Sequence, residues 1–422
     1  MCFNAPVWFP SKNDPQVLNI LSITHVCSVW RQLAFETPRL WNDIKVTLQD
    51  EHMDQTISSA AEWLARAKDA PRSLSIHLYG ERCTHTIWNQ LLKFITLFPL
   101  KSLTLDAGRN NLPLTLPNST WSSIEWLHLS YYTNEGSTGP AIFSREMTLS
   151  SLRRLELFAC HDQVNEMEYV IPWHQLRSLY MSGMPISLSL CLNVLRQSLL
   201  LECCSLAVSP EPSTSTTTFS ENFITLNNLA LLNLSVGNDS SLDALFRLLV
   251  TPNITSLTFN SATSAELRYN SSALVRFIRR SGGMPQIQTL AISDESTELI
   301  SAGILLEFLP SLKILHITCG FLTENDINHL SSSKIGPLLH SLHLFPDDRH
   351  DANHILSMVE ERHRNATENP EIDGLCPFKR VMIKCIANED PERRFNESAA
   401  LRKKYGIDIS VVLFLSTFVR RR

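Results

Sequence analysis

The sequence lacks the short motifs that mark most enzymes and metal proteins. It has no phosphate-binding glycine-rich loop, no His-Glu-x-x-His and no Gly-x-Ser-x-Gly. Its ten cysteines include no Cys-x-x-Cys pair and no spacing typical of a metal site. We therefore expect that the chain is not an enzyme and that it holds no cofactor and no metal. The cysteines are expected to be reduced thiols.

Charge and long apolar runs are also scarce. Charged residues make up 19% of the chain and the net charge is −5, which gives no support to non-specific binding of nucleic acid or of acidic membranes. The longest apolar run, Val411 to Leu415, is too short to span a bilayer. The chain does not start with a basic segment followed by an apolar one, so we expect no signal peptide and a cytoplasmic or nuclear location.

The feature that recurs is a Leu-x-x-Leu-x-Leu pattern, which is clearest over residues 149–157. Copies follow one another at intervals of about 24 to 28 residues, with two longer intervals, and this spacing predicts a stack of short strand-plus-connection units. Aligned on the middle residue of the last apolar triplet, the copies are centred on Leu103, Leu127, Leu155, Leu179, Cys204, Leu232, Leu257, Leu290, Leu315, Leu342 and Val381.

Each copy predicts a strand with one buried side. Leu155 and Leu157 are two residues apart and so point to the same side, whereas Arg154 and Glu156 point to the other. One unit cannot bury its leucines alone, but stacked units can. We expect almost complete burial, in parallel strands, of Leu155, Leu157, Leu179, Leu232, Leu290, Leu315 and Leu342.

This pattern resembles the leucine-rich repeat. The resemblance implies an α/β solenoid with a parallel sheet whose open surface binds other proteins. The family places Asn or Cys three residues after the second strand leucine, and here only Cys160 fits. We therefore expect irregular repeats.

A different pattern precedes the repeats. Apolar residues between Leu21 and Phe35 recur at helical spacing, and Pro38 ends the predicted helix. The segment contains Val26-Cys-Ser-Val-Trp30 and then Pro38-Arg-Leu-Trp41. These motifs resemble the second half of the F-box of fungal F-box proteins with leucine-rich repeats. The resemblance implies docking on a Skp-type adaptor by Val26, Trp30, Leu33, Leu40 and Trp41.

The F-box resemblance is incomplete. A complete F-box opens with a Leu-Pro-x-Glu-Ile-Leu helix, and no such sequence precedes Val17. The alternative is that Trp30 and Trp41 are core residues of a helical cap, which a solenoid needs to cover the end of its core. The predicted organisation is a partial F-box-like helical region over 1–48, a linking helix and first repeat strand over 49–90, irregular leucine-rich repeats over 91–388 and a C-terminal cap or tail over 389–422.

The early repeats also carry a set of residues suited to protein binding. Trp, Tyr and Arg are the residue types most enriched at binding hot spots, and they occur at strand positions predicted to face away from the core. The predicted target-binding residues are Trp126, His128, Arg154, Glu156, Phe158 and Tyr180. Coverage by loops or by the C-terminal tail is the alternative for these aromatic side chains.

Two histidine pairs are further candidate site residues. His316 and His343 occupy equivalent positions of adjacent repeats and form a secondary patch. His350 and His354 are four residues apart beside Asp351, where a solvated loop is favoured over a metal site.

We expect a substrate-recognition subunit of a cullin-type ubiquitin ligase, with the Skp-type adaptor and cullin complex and an unknown target protein as partners. The alternative is a leucine-rich-repeat scaffold without a role in ubiquitin transfer.

Overall fold

A computed structural model of the chain describes residues 24–48, 53–78, 85–107, 116–130, 147–158, 167, 169–209, 222–237, 239–261, 271–282, 286–293, 302–318, 322–345, 352–368, 376–386 and 391–414. Its residue contacts divide the chain into two compact units, which we call unit 1 (Met1–Met184) and unit 2 (Pro185–Arg422). This division falls inside the predicted repeat region, where the sequence indicated no boundary.

Unit 1 alternates helices and strands. Helices α1 to α4 are Ser28–Glu36, Met53–Arg66, His85–Thr96 and Asn118–Ser123. Strands β1 to β5 are Asp43–Leu48, Arg72–Leu78, Leu100–Asp106, Trp126–Ser130 and Arg154–Phe158, and β6, Ser178–Ser187, begins in unit 1 and ends just beyond the division. Each strand pairs in parallel with the next one along the chain. The predicted α/β class and the parallel pairing are confirmed for this unit.

Unit 2 continues the same alternation. Helices α5 to α11 are Leu188–Gln197, Asp239–Leu248, Ser271–Arg280, Ala302–Phe308, Glu324–Ser331, Ala352–Glu368 and Pro391–Tyr405. Strands β7 to β16 are Cys203–Ser209, Ile224–Thr225, Leu231–Val236, Leu249–Val250, Ser256–Ser261, Thr289–Ser293, Ile314–Thr318, Ser341–Phe345, Arg380–Ile386 and Asp408–Phe414. Strands β7, β9 and β11 to β16 pair in parallel in that order. The two short strands β8 and β10 form a separate parallel pair.

The predicted repeat anchors meet in register across the strands. Leu127 pairs with Leu155 and Leu155 with Leu179 in unit 1, and Leu290 pairs with Leu315 in unit 2. All seven leucines predicted to be buried are at most 1% exposed. Because neighbouring parallel strands lie about 4.8 Å apart, the aligned leucines form an apolar layer within each unit.

Burial along the strands explains why apolar residues alternate with a period of two within each repeat. In β2, buried and half-buried residues alternate along the whole strand, and β1 alternates buried with exposed residues. The buried side of each strand belongs to the core. We call the other side, which carries the half-buried and exposed residues, the open face of its unit.

One predicted helix differs from the structure, and a cap fixes the start of another. The expected continuous helix from Leu21 to Phe35 is interrupted, because Cys27 is extended (φ −158°, ψ 174°) and α1 begins only after it. Helix α5 begins at Leu188, because the Ser187 hydroxyl accepts a hydrogen bond from the Leu190 amide and caps the helix.

Three arginines form hydrogen bonds between the segments that connect neighbouring strands. Each guanidinium donates to backbone carbonyls at the end of a preceding helix, where carbonyl groups have no partner within the helix. Arg72 donates to Leu64 O and Lys68 O. The other two are Arg280 and Arg362, which serve the ends of α6 and α9. These hydrogen bonds satisfy backbone carbonyls of the connecting segments. The sequence rarely has the Asn or Cys that regular leucine-rich repeats place at such turns.

Several sequence expectations fall outside the described residues. They include Cys160, His350 and Asp351, whereas His354 lies exposed in α10. Within the described ranges, none of the helices combines the length and the hydropathy that crossing a bilayer requires.

Candidate functional site

A row of exposed apolar side chains lies at the N-terminal end of the described chain. Val29, Trp30 and Leu33 are 71%, 51% and 58% exposed on α1, and Val26, just before it, is 66% exposed. Positions 29, 30 and 33 follow the spacing of one helix face, and Val26 precedes the extended Cys27. We call these four residues the N-terminal apolar face. Three of them, Val26, Trp30 and Leu33, are predicted adaptor-binding residues.

The other two predicted adaptor residues lie in a different environment. Trp41 is fully buried, and its indole donates from Nε1 to Ala34 O over 2.7 Å. Its ring stacks on Phe35 and meets the edge of Trp63. Leu40 is half-buried against the same cluster. The prediction that Trp41 contacts a partner therefore needs correction, since its side chain has no free surface in this structure.

Burial of Trp41 has a structural consequence for α1. Besides the two aromatic contacts, the Arg66 guanidinium lies 4.8 Å from the Trp41 ring centroid. Phe35 belongs to α1, whereas Trp63 and Arg66 belong to α2. Trp41 therefore fixes α1 against α2, and the N-terminal apolar face is held on a packed base. The helical-cap interpretation fits Trp41, while Trp30 remains outside the cluster.

The predicted target-binding residues lie together on the open face of unit 1. Trp126 is in register with Arg154, and His128 with Glu156. Glu156 is in register with Tyr180 on the next strand. We call the full set the aromatic–charged cluster, and it consists of Trp126, His128, Arg154, Glu156, Phe158 and Tyr180.

Glu156 is the centre of this cluster. Its Oε2 lies 2.7 Å from His128 Nδ1, so the ring donates from that nitrogen. Its Oε1 accepts from Arg154 Nε at 2.6 Å and from Nη2 at 2.5 Å. The Glu156 side chain is only 12% exposed. Because both oxygens are used within the cluster, Glu156 positions its two neighbours more than it offers a contact surface.

Arg154 lies between two aromatic rings. Its guanidinium carbon is 4.6 Å from the Trp126 ring centroid and 5.4 Å from that of Tyr180. Such cation–π contacts are most favourable when the cation is partly desolvated. The ring of His128 also contacts Phe158, with centroids 5.2 Å apart. The cluster is thus organised before any partner binds, which lowers the entropic cost of binding.

The cluster stays accessible. Trp126 is 37% exposed, the Arg154 side chain is 45% exposed, and Tyr180 is half-buried. The alternative that other segments cover Trp126 and Tyr180 is therefore not what this structure shows.

A second carboxylate–histidine pair on the same open face was missed from the sequence. His77 Nδ1 lies 3.5 Å from Asp106 Oδ2 on the neighbouring strand. Burial lowers the pKa of His77, and the charge of Lys45 lowers it further, while Asp106 opposes both. The signal was available, because both residues hold strand positions that alternate with buried leucines.

The open face of unit 2 has a different composition. His316 and His343 are in register, and their rings stack with centroids 3.8 Å apart and planes 6° from parallel. The equivalent positions that the sequence predicted for the two residues thus bring their rings into contact. Further along, Asn233 donates from Nδ2 to Ser205 Oγ over 3.1 Å. The two asparagines of this face, Asn233 and Asn260, were not singled out from the sequence.

The side chains in the described part of the chain give little support to metal binding or to thiol chemistry. There, no three His, Cys, Asp or Glu side chains are arranged to hold a metal ion. Cys191 and Cys204 are buried and free. Burial raises the pKa of the Cys191 thiol to about 12 and that of Cys204 well above its ordinary value. Both thiols are therefore unreactive core residues, because nucleophilic chemistry requires the thiolate.

Comparison with known proteins adds no family to these observations. No protein-family model matches the chain, and no curated protein is significantly similar to it. The N-terminal apolar face and the aromatic–charged cluster are therefore the features of the chain that indicate a function.

Proposed function

We propose that this protein is a substrate-recognition subunit of a cullin-type ubiquitin ligase. The N-terminal apolar face docks on a Skp-type adaptor, and the strands, as repeats of a leucine-rich-repeat-like solenoid, hold a target protein. The protein itself makes and breaks no bonds. The observation that carries the proposal is the exposure of Val29, Trp30 and Leu33 on α1, and of Val26 just before it, while the end of α1 packs through Ala34 and Phe35 on Trp41.

The exposure of this face supports an interface. Single exposed apolar residues are common, but a contiguous exposed set marks a binding surface more often than an idle one. The motif Val26-Cys-Ser-Val-Trp30 that resembles an F-box supplies three of the exposed positions. Pro38-Arg-Leu-Trp41, the second half of the resemblance, supplies the buried residue that holds the helix in place.

The aromatic–charged cluster supports target capture by unit 1. It places Trp, Tyr and Arg on one open face, and these types dominate binding hot spots. Glu156 accepts hydrogen bonds from both His128 and Arg154, so its carboxylate is not left as an unpaired buried charge. The proposal therefore assigns adaptor binding and target binding to two separate sets of residues.

Two tryptophans provide the test and its matched control. Trp30→Ala should weaken binding to a purified Skp-type adaptor by about 2 kcal/mol or more, a factor of about 30 in Kd. Trp126→Ala should leave adaptor binding unchanged, because its ring lies in the other set. In a capture experiment with ubiquitylation substrates from cell extract, followed by mass spectrometry, Trp126→Ala with Arg154→Ala should lose the targets that Trp30→Ala retains.

The absence of a Leu-Pro-x-Glu-Ile-Leu sequence favours a second candidate. In that case the chain is a repeat scaffold that binds proteins without a role in ubiquitin transfer. Adaptor titration separates the two candidates. Wild-type protein that does not bind the adaptor at micromolar concentration, but still captures targets through Trp126 and Arg154, identifies the scaffold.

A further inference from the structure

The open face of unit 2 carries no formal charge over strands β7 to β14. Successive strands place small, hydroxyl, amide and imidazole side chains in register, together with the apolar Leu231 and Ile314, and no Lys, Arg, Asp or Glu stands at an open-face position of these strands. The central row consists of Ser205, Asn233, Thr258, Ala291, His316 and His343, of which Ser205 and Ala291 are buried. A charged partner segment would lose hydration here without gaining an opposite charge.

Two amide oxygens on this face have unmet hydrogen-bonding capacity. Asn233 Oδ1 and Asn260 Oδ1 are shielded from solvent and accept no hydrogen bond. A buried acceptor without a donor costs about 1–3 kcal/mol. Both oxygens belong to half-buried residues. Because the terminal torsion of asparagine is broad, each carboxamide can turn its oxygen outward to meet a donor.

The spacing of the two amides matches an extended chain. Asn233 is in register with Thr258, and Asn260 lies two residues further along β11. Diagonal neighbours of this kind are about 7–8 Å apart. An extended peptide repeats same-side backbone groups every two residues, or about 6.6–6.8 Å. A carboxamide offers one acceptor and two donors, so it can bond both the N–H and the C=O of a peptide unit.

We infer that Asn233 and Asn260 bind the backbone of an extended, uncharged polypeptide segment lying across the open face of unit 2. The stacked rings of His316 and His343 provide a flat wall for an apolar side chain of that segment. The inference rests on the proposed function, since the segment belongs to the captured target. The inference adds that the segment must be extended and uncharged. An apolar helix does not meet this requirement, because its backbone N–H groups are already bonded within the helix.

The test uses the full chain and a displayed library of random peptides of about twelve residues, which span about 40 Å when extended. Peptides selected on wild-type protein should contain few charged residues. Their Kd, measured by fluorescence anisotropy, should rise about ten-fold or more in the double variant Asn233→Ala, Asn260→Ala, because each lost hydrogen bond contributes about 1 kcal/mol. The exposed Asn253, which bonds Asn227 O, gives the matched control Asn253→Ala with unchanged Kd.

Folding is checked by thermal melting of the same variants. The double variant should melt close to the wild-type temperature, because it removes two unsatisfied acceptors and loses only the Asn233–Ser205 hydrogen bond. Selection of no binders, selection of charged peptides, or binding unaffected by the asparagine changes overturns the inference. If the double variant melts early, Asn233→Ser and Asn260→Ser replace it under the same criteria. The adaptor measurements on wild type and on Trp30→Ala test the proposed function alone, because the peptide selection involves no adaptor.

Discussion

Unit 1 and unit 2 bury the same kind of side chain on the core side of their strands and present different chemistry on their open faces. In unit 1, the open face carries the paired charges Arg154 and Glu156 among aromatic rings. In unit 2, the corresponding rows of β7 to β14 carry amides, hydroxyls and stacked imidazoles, and the Arg380–Asp408 ion pair lies beyond them on β15 and β16. Burial of the leucine anchors is nearly complete in both. The core side must satisfy close packing in every strand, whereas the open face has no such constraint and can vary with its partner.

The units also use arginine in different ways. Arg362 of unit 2 is fully buried and donates five hydrogen bonds to backbone carbonyls, from Leu330 to Cys376. Burial lowers its pKa to about 10, so it stays charged at neutral pH. Arg154 of unit 1 is half exposed and faces aromatic rings. The first stabilises the fold, while the second is placed to bind.

This contrast predicts the largest effect. Arg362→Met should lower the free energy of unfolding by about 3–5 kcal/mol, because it leaves several buried carbonyls without a donor. Arg154→Met, its matched control on the open face of unit 1, should cost about 1 kcal/mol or less, since exposed ion pairs contribute little. Urea denaturation measures both. Equal losses would mean that the two arginines do not differ in role.

The core sides of the two units should respond alike. Leu155→Ala in unit 1 and Leu315→Ala in unit 2 should each cost about 2–5 kcal/mol, because both remove a fully buried side chain and leave a cavity. Hydrogen exchange should show each loss concentrated in the unit that carries the change. A loss below about 1 kcal/mol in either unit would contradict the similarity of their cores.

Glu156 provides a smaller effect confined to unit 1. Glu156→Gln removes the carboxylate that Arg154 and His128 share, and should lower the free energy of unfolding by about 1 kcal/mol. The loss should shrink in high salt, because salt screens partly exposed charges. Asn233→Ala in unit 2 is the control, with no salt-dependent loss. The absence of any difference between low and high salt for Glu156→Gln would exclude an electrostatic role.

The smallest effect concerns pH. Burial lowers the pKa of His363 in unit 2 below its ordinary value of 6.5, with Arg362 adding to the shift and the bond to Phe378 O opposing it. The unfolded chain therefore binds a proton that the folded chain does not, so stability present above pH 6.5 is lost as the pH falls through the folded pKa. His363→Gln, which keeps a donor for Phe378 O, should flatten this dependence in thermal melts between neutral and mildly acidic pH. A slope identical to that of the wild type would assign the pH dependence to other groups.

In the N-terminal region, the sequence did not distinguish two tryptophans that the structure places in different environments. The motif around Trp30 and Trp41 indicated two equivalent apolar anchors, yet one is half exposed and the other is fully buried. Both are tryptophans with apolar neighbours, and nothing in the local pattern separates them. What separates them is α2, because Trp63 and Arg66 pack on Trp41.

The sequence by itself determined the α/β class, the parallel pairing, the buried anchors and the membership of the aromatic–charged cluster. It could do so because alternation with a period of two fixes which side of a strand each residue faces, and a regular repeat fixes which residues become neighbours. The tertiary structure alone decided the burial of Trp41, the pairing of His77 with Asp106, the carbonyls that Arg362 reaches and the unsatisfied amides of Asn233 and Asn260. Each of these depends on distances between elements far apart in the chain, and the repeat period carries no information about side-chain reach, rotamer or local packing.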